Sequence, residues 1–199
     1  MANTTHEQRE EPIVKPLSEA TLNKVRQVIL DRERGKVIIE NRKARVQLFS
    51  EDMWRLNPNP PVNHPVIDDD HKLWLNDSII DLYLHMVAER YNNGKEPKKA
   101  HAFGSFFWSQ LLVHGPKKVE SLTRKSKVGG DNLLRLDFLF IPANFNGSHW
   151  TLGVVRPKEK RLEFYDSMRG GAANRSEIFF RVRTSYCGNN TVSATDQSR

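Results

Sequence analysis

The segment 136–166 constrains the fold more than any other part of the chain. Runs rich in Val, Leu, Phe and Tyr lie on either side of a short Pro/Lys/Glu stretch at 157–160. Such runs, separated by turn-forming residues, indicate a β-hairpin. The two predicted strands are antiparallel, so residues far apart in the sequence are expected to lie side by side.

The predicted hairpin places His149 and Asp166 on one face of the sheet. If the turn centres between Pro157 and Lys158, the two residues are directly opposite. If it centres one residue later, Asp166 faces Thr151 and stays on the face that carries His149. Neighbours on one face have Cβ atoms about 4.5–5.5 Å apart, and diagonal ones about 7–8 Å. A carboxylate at this distance can hold one ring nitrogen and leave the other free to take a proton, although a histidine that only caps the sheet end fits the same pattern.

Composition limits the classes to which the chain can belong. Its 199 residues suffice for one domain with a sizeable core, and 38% hydrophobic and 28% charged residues indicate an additional solvated portion. The net charge of +7 indicates either a solvated basic surface or attraction to an acidic partner, a protein or a nucleic acid. Zinc-finger spacing, an arginine-rich arm and aromatic-basic RNA motifs are absent from the sequence, so we expect no specific nucleic-acid recognition.

Compartment follows from the apolar runs and the cysteine count. No apolar run approaches the roughly 18 residues that span a bilayer, so we expect no membrane association. The single cysteine, Cys187, excludes a disulfide within the chain and indicates the nucleus, the cytoplasm or both. We also expect a monomer without a cofactor or a metal.

The order of predicted elements is typical of an α+β fold, with helices first, then a sheet, then a helix. The pattern predicts a helix that Ser18 caps and Gly35 stops, strands at 36–40 and 45–49, helices at 50–56, 78–91, 105–113 and 119–127, the hairpin, and a helix at 172–186. Either Asn76 or Asp77 caps the helix at 78–91. Helical spacing predicts that the following side chains face inward: Ile79, Ile80, Tyr83, Leu84, Met86, Val87, Phe103, Phe106 and Phe107.

Three stretches fall outside the predicted core. Residues 1–16 are polar and are expected to be disordered, as is the unpatterned polar tail at 189–199. Residues 57–72 contain several prolines and three consecutive aspartates, which predicts an insertion loop. The aspartates lack spaced partner ligands, so we interpret them as solvated rather than as a metal site. Residues 17–188, which include this loop, are expected to form the folded domain.

Three motifs, taken in order, resemble the ubiquitin-like-protein-specific proteases, the cysteine peptidases that process and deconjugate SUMO (sentrin). They are Trp-Leu-Asn-Asp-Ser-Ile-Ile-Asp-Leu-Tyr at 74–83, Ala-Phe-Gly-Ser-Phe-Phe-Trp at 102–108, and Phe-Ile-Pro-Ala-Asn-Phe-Asn-Gly-Ser-His-Trp-Thr-Leu-Gly-Val-Val at 140–155 followed by Tyr-Asp-Ser at 165–167. The resemblance covers roughly 17–186. It implies a papain-like α+β fold and a thiol protease that acts in ubiquitin-like conjugation pathways.

The resemblance also implies roles for individual residues. His149 would be the general base and Asp166 its orienting partner. Trp74 and Trp150 would form the walls of a narrow tunnel that admits a Gly-Gly tail, since flat rings can close over a backbone without side chains. Asp77 would meet the surface of the modifier.

The sequence departs from the family at the nucleophile. The family carries it in an Asp-Cys-Gly segment, preceded by a glutamine that donates to the oxyanion. Here Cys187 is followed by Gly188 at a predicted helix end, where the helix dipole disfavours a thiolate, and Gln197 comes after the cysteine. We therefore expect that Cys187 is not the nucleophile, that the C-terminal part of the fold is missing, and that the chain as written cleaves a SUMO fusion poorly. A non-catalytic fragment that binds the modifier is the alternative.

Overall fold

The computed structural model describes residues 16–31, 33–57, 74–168, 175, 177 and 193–196. The helices in these ranges are α1 (Glu19–Leu30), α2 (Ser50–Trp54), α3 (Asp77–Asn92), α4 (Ser105–His114) and α5 (Pro116–Lys125). The strands are β1 (Val37–Asn41), β2 (Val46–Phe49), β3 (Ala100–Ala102), β4 (Phe138–Phe145), β5 (His149–Arg156), β6 (Arg161–Tyr165) and β7 (Ser193–Asp196). The predicted α+β class is confirmed.

The central sheet has the strand order β3-β4-β5-β6-β7. β4, β5 and β6 are antiparallel neighbours, whereas β3 and β7 pair in parallel at the two edges. β1 and β2 form a separate antiparallel pair. The meander of β4, β5 and β6 therefore forms the rigid part of the sheet that carries the candidate site.

The prediction of one hairpin over 136–166 is wrong in one respect, because the segment contains two tight turns. Asn146 and Gly147 both have positive φ, at 56° and 71°, and reverse the chain between β4 and β5. An Asn-Gly pair adopts this left-handed backbone at little cost and matches the twist of the flanking strands. The second turn, at Pro157–Glu159, lies where the sequence predicts it.

The main core lies between α4 and the face of the sheet that α4 covers. Phe103, Phe107, Trp108 and Leu111 are buried there, with Trp108 only 1% exposed. They pack against side chains of the strands, which are Leu139, Ile141, Ala143, Phe145, Leu162 and Phe164. Burial of this many large apolar groups supplies most of the driving force for the fold.

Three of the predicted inward-facing residues are exposed instead. Tyr83 and Met86 of α3 are 64% and 57% exposed, and Phe106 of α4 is 63% exposed. Each helix packs on one side only, so the apolar residues on its other side face solvent. Leu82, which the prediction left out, is buried with Leu48 and Ile79.

The tail also differs from the prediction. Ser193–Asp196 form β7, which pairs with the edge of β6, because a parallel ladder requires only backbone groups. Several predicted segments lie outside the described residues: 1–15, the insertion loop apart from Asn57, the helix at 172–186 apart from Arg175 and Glu177, and Cys187. Among the helices described, none combines the length and apolarity that a membrane span requires.

Candidate active site

His149 and Asp166 are in direct contact at the end of the sheet where β5 begins and β6 ends. Tyr165 is opposite Leu152, and continuing this register by one residue sets Asp166 opposite Thr151, the second of the two predicted arrangements. His149 Nε2 lies 2.6 Å from Asp166 Oδ1. The predicted contact between the two side chains is therefore confirmed as geometry.

Local structure explains why the two side chains meet. His149 is the first residue of β5, directly after the Asn-Gly turn, and Asp166 directly follows β6. Between them, the Thr151 hydroxyl donates to the Ala143 carbonyl over 3.2 Å and is buried. The end of the sheet is thus held together by side chains as well as by its backbone ladder.

Asp166 is an ionised carboxylate with three hydrogen-bond partners. Its Oδ1 also accepts from the Met168 amide at 2.8 Å, and its Oδ2 accepts from Arg175 Nε at 2.7 Å. Burial acts to raise the pKa of Asp166, but the hydrogen bonds from Arg175, Met168 and His149 outweigh it, and the net pKa lies below the ordinary value. Arg175 was not predicted as a partner of Asp166, because the spacing of apolar residues does not indicate what a single basic side chain contacts.

The contact determines which ring nitrogen of His149 is free. An ionised carboxylate only accepts hydrogen bonds, so Nε2 must carry the proton in the neutral ring. Nδ1 then holds the lone pair, and the described residues place no hydrogen-bond partner on it. The ring is 14% exposed whereas the carboxylate is fully covered, which leaves His149 as the member of the pair that another molecule can approach.

A pocket opens at the β4–β5 turn, near the start of β5. It is lined by residues at the start of α3 and α4, around the β4–β5 turn and after α2: Arg55, Trp74, Leu75, Asn76, Asp77, Ser105, Ser109, Asn144, Gly147, Ser148 and Trp150. Ser148 and Trp150 flank His149 in the chain. The prediction that the distant residues Trp74 and Trp150 converge at one site is confirmed.

Two hydrogen bonds fix the segment that carries Trp74. Trp150 Nε1 donates to the Leu75 carbonyl over 2.8 Å, and Arg55 Nη1 donates to the Trp74 carbonyl over 2.8 Å. Successive carbonyls are thus tied to β5 on one side and to the end of α2 on the other. Trp74 itself remains 42% exposed beside the pocket.

Of the two residues predicted as possible caps of α3, Asn76 and Asp77, the structure shows Asn76 in that role. Asn76 is the N-cap, and its side chain accepts from the Ile79 amide at 3.1 Å. Asp77 is the first helical residue, and its carboxylate accepts from the neighbouring Ser78 amide at 2.9 Å. Asp77 is exposed at the rim of the pocket and free of a capping role.

No group of three or more metal-binding side chains occurs within the ranges that the structure describes. Cys187 is outside those ranges, so the nucleophile is not placed relative to His149. The described part of the site therefore comprises a histidine in contact with a buried carboxylate and a pocket with two tryptophans.

Comparison with known proteins agrees with this arrangement. Residues 73–185 match the Ulp1 protease family, C-terminal catalytic domain. The ubiquitin-like-specific protease ESD4 of Arabidopsis thaliana is 31% identical over 166 residues, which are 80% of this chain and 30% of that protein. Because the family match covers more than half of the chain, the chain belongs to the Ulp1 protease family.

Solved structures share the fold. The Ulp1-like SUMO protease catalytic domain of Chaetomium thermophilum is 26% identical, with a TM-score of 0.70, over 93% of this chain and 72% of that one. The C-terminal Ulp1 protease domain in complex with Smt3, the yeast orthologue of SUMO, is 23% identical, with a TM-score of 0.71, over 95% of this chain and 78% of that one. The chain spans less than half the length of the curated relatives it matches.

Proposed function

We propose that the chain carries the base and the substrate pocket of a cysteine-type peptidase that acts on SUMO or another ubiquitin-like modifier. The observation that carries the proposal is the 2.6 Å contact between His149 Nε2 and Asp166 Oδ1. Family membership and the likeness to a Ulp1 domain that binds Smt3 support the choice of substrate. The nucleus, the cytoplasm or both are the proposed location, and a monomer is the proposed state.

In this proposal His149 is the general base. A thiol with an ordinary pKa of about 8.5 is poorly ionised at neutral pH. Nδ1 of His149 accepts its proton, the thiolate attacks the carbonyl carbon, and the resulting imidazolium returns the proton to the leaving amine. Asp166 holds the ring and stabilises the imidazolium.

Trp74 and Trp150 form the proposed walls for the Gly-Gly tail. Both tryptophans line the same pocket as Ser148, the residue before His149, and the Trp74 segment is tied to Trp150 through the Leu75 carbonyl. A segment fixed before the substrate arrives loses little conformational entropy on binding. Asp77, exposed at the rim, is the proposed contact for the body of the modifier.

The test is a binding titration between the full chain and SUMO that ends in Gly-Gly. We expect removal of the Gly-Gly tail to weaken binding by about tenfold or more, and Trp150→Ala to do the same, because each removes an aromatic contact with the tail worth about 1.4 kcal/mol. Trp150→Phe keeps a smaller aromatic ring but loses the donor to the Leu75 carbonyl, so it should bind more tightly than Trp150→Ala.

The exposed Leu134, outside the pocket, provides the control, since Leu134→Ala should bind as the unchanged chain does. An affinity that depends on neither the tail nor Trp150 would contradict the proposed pocket. A SUMO molecule with a C-terminal electrophile tests the chemistry separately. Our prediction is slow labelling of Cys187, and rapid labelling that His149→Ala abolishes would instead identify Cys187 as the nucleophile.

A further inference from the structure

Arg175 and His149 share one carboxylate. Arg175 Nε lies 2.7 Å from Asp166 Oδ2, and His149 Nε2 lies 2.6 Å from Oδ1. The Asp166 side chain is fully buried and that of Arg175 is 20% exposed. The two nitrogens therefore contact different oxygens of a group that is largely removed from water.

This geometry sets two cationic groups in competition. A guanidinium remains charged at every accessible pH, whereas an imidazole gains its charge only on protonation. Arg175 already partly neutralises the negative charge of Asp166. Its own positive charge also disfavours the imidazolium form of His149 beside the other carboxylate oxygen. A carboxylate without this partner would stabilise the imidazolium more strongly, and a histidine that holds its proton cannot act as a base.

We propose that Arg175 is a positioning residue that shares the Asp166 carboxylate with His149, so that Asp166 orients the ring while Arg175 offsets part of the negative charge that faces it. The significance of this arrangement for a base rests on the function proposed above. Of the charged and titratable groups in the described residues, Arg175 and His149 are those in contact with Asp166.

A further observation favours this role over a purely structural ion pair. Nη2 of Arg175 is buried and has no hydrogen-bond partner among the residues that the structure describes. A buried donor left without a partner costs about 1–3 kcal/mol. If Arg175 served only to neutralise Asp166, this cost would have no compensation. A permanent positive charge beside the carboxylate is, however, what sharing of Asp166 with His149 requires.

The experiment is an NMR titration of the imidazole resonances of the full chain without any modifier. The chain has seven histidines, and the signal of His149 is assigned from its loss in His149→Gln. We expect Arg175→Gln to raise the pKa of His149 by about one pH unit. Arg175→Lys, which keeps the charge, should restore most of the original pKa.

Arg124 offers a matched control, because it pairs with Glu120 on the surface and is 72% exposed. Arg124→Gln removes the same charge and should leave His149 unchanged. In an Asp166→Asn background, Arg175→Gln should shift His149 much less, since the shared carboxylate is gone.

An unchanged or lowered pKa of His149 in folded Arg175→Gln would overturn the proposal, as would an equal shift in the Asp166→Asn background. If Arg175→Gln does not fold, Arg175→Met, which keeps the apolar stem, takes its place with the same expected rise. The readout needs neither cleavage nor modifier, so a failed labelling or binding test would not be confused with failure of this proposal.

Discussion

The protonation state of His149 follows from its hydrogen bond with Asp166. Since the pKa of Asp166 lies below its ordinary value, the carboxylate is ionised at neutral pH and can only accept. We expect the neutral ring to carry its proton on Nε2 in nearly all molecules. An isolated imidazole, by contrast, distributes its proton between both nitrogens.

Nitrogen-15 chemical shifts of the His149 ring, measured above its pKa, test this expectation. Asp166→Asn should reduce the preference for the Nε2–H form, because a neutral amide can donate as well as accept. It should also lower the pKa of His149, since the negative charge that favours the imidazolium is lost. A ring that is protonated on Nδ1 in the unchanged chain would contradict the role of Nδ1 as the proton acceptor.

Residue types and strand alternation were sufficient to predict that His149 and Asp166 meet. The sequence allowed two strand registers, which differ in the position of the turn near Pro157. Both place His149 and Asp166 on the same face of the sheet, so the prediction did not depend on which one is correct. Arg175 could not be predicted in the same way. It lies in the predicted helix at 172–186, where the spacing of apolar residues says nothing about the partner of a basic side chain, and only tertiary structure determines which carboxylate an arginine contacts.

At the scale of elements, one carboxylate connects α3 to the start of α4. Asp81 of α3 accepts from the Ser105 amide at 2.7 Å and so caps α4 from another helix. Burial raises the pKa of Asp81, against the hydrogen bonds from Ser105. Gly104, directly before α4, allows this contact, because a Cβ at that position would lie 2.7 Å from Asp81 Oδ2.

We therefore predict that Gly104→Ala destabilises the domain by about 1–2 kcal/mol, since it displaces the carboxylate and removes the cap. Urea unfolding at neutral pH measures the change. In an Asp81→Ala background the collision is absent, so the same substitution should cost clearly less. Equal costs in the two backgrounds would show that Asp81 does not transmit the effect.

Element boundaries were largely predictable, because caps and breakers mark them. Ser18 caps α1 as expected, with its side chain accepting from the Thr21 amide. Which apolar residues of α3 and α4 are buried was less predictable. Tyr83, Met86 and Phe106 occur at helical spacing with core residues, and only the position of the sheet determines which side of a helix is covered.

At the scale of the whole molecule, His101 makes stability depend on pH. Burial, with smaller contributions from the positive charges of His85 and Lys98, lowers the pKa of His101 to about 4 from an ordinary 6.5. Between pH 6.5 and about pH 4, His101 is therefore protonated in the unfolded chain but not in the folded chain. The contribution of His101 is complete above pH 6.5 and is lost as the pH falls from 6.5 to about 4, with an upper limit of about 3 kcal/mol.

Urea unfolding between pH 4 and pH 8 tests this dependence. His101→Phe keeps a ring against Phe103, whose centroid lies 4.8 Å away, but cannot be protonated. Its stability should vary less over this range than that of the unchanged chain. His114→Phe, at the exposed end of α4, serves as the control and should leave the slope intact. A slope that His101→Phe leaves unaltered would assign the effect to other groups.

The alternation of β6 has a consequence for how the length of this strand can vary. Successive side chains of a strand point to opposite faces of the sheet. Asp166 lies opposite Thr151, which is two residues from His149, so all three side chains are on the same face. Loss or gain of one residue within 162–165 would turn the carboxylate to the opposite side of the sheet, whereas a change of two would return it. Related chains that retain the His–Asp pair should thus differ within this strand by pairs of residues, while the turn at Pro157–Glu159 can lengthen outward without such parity.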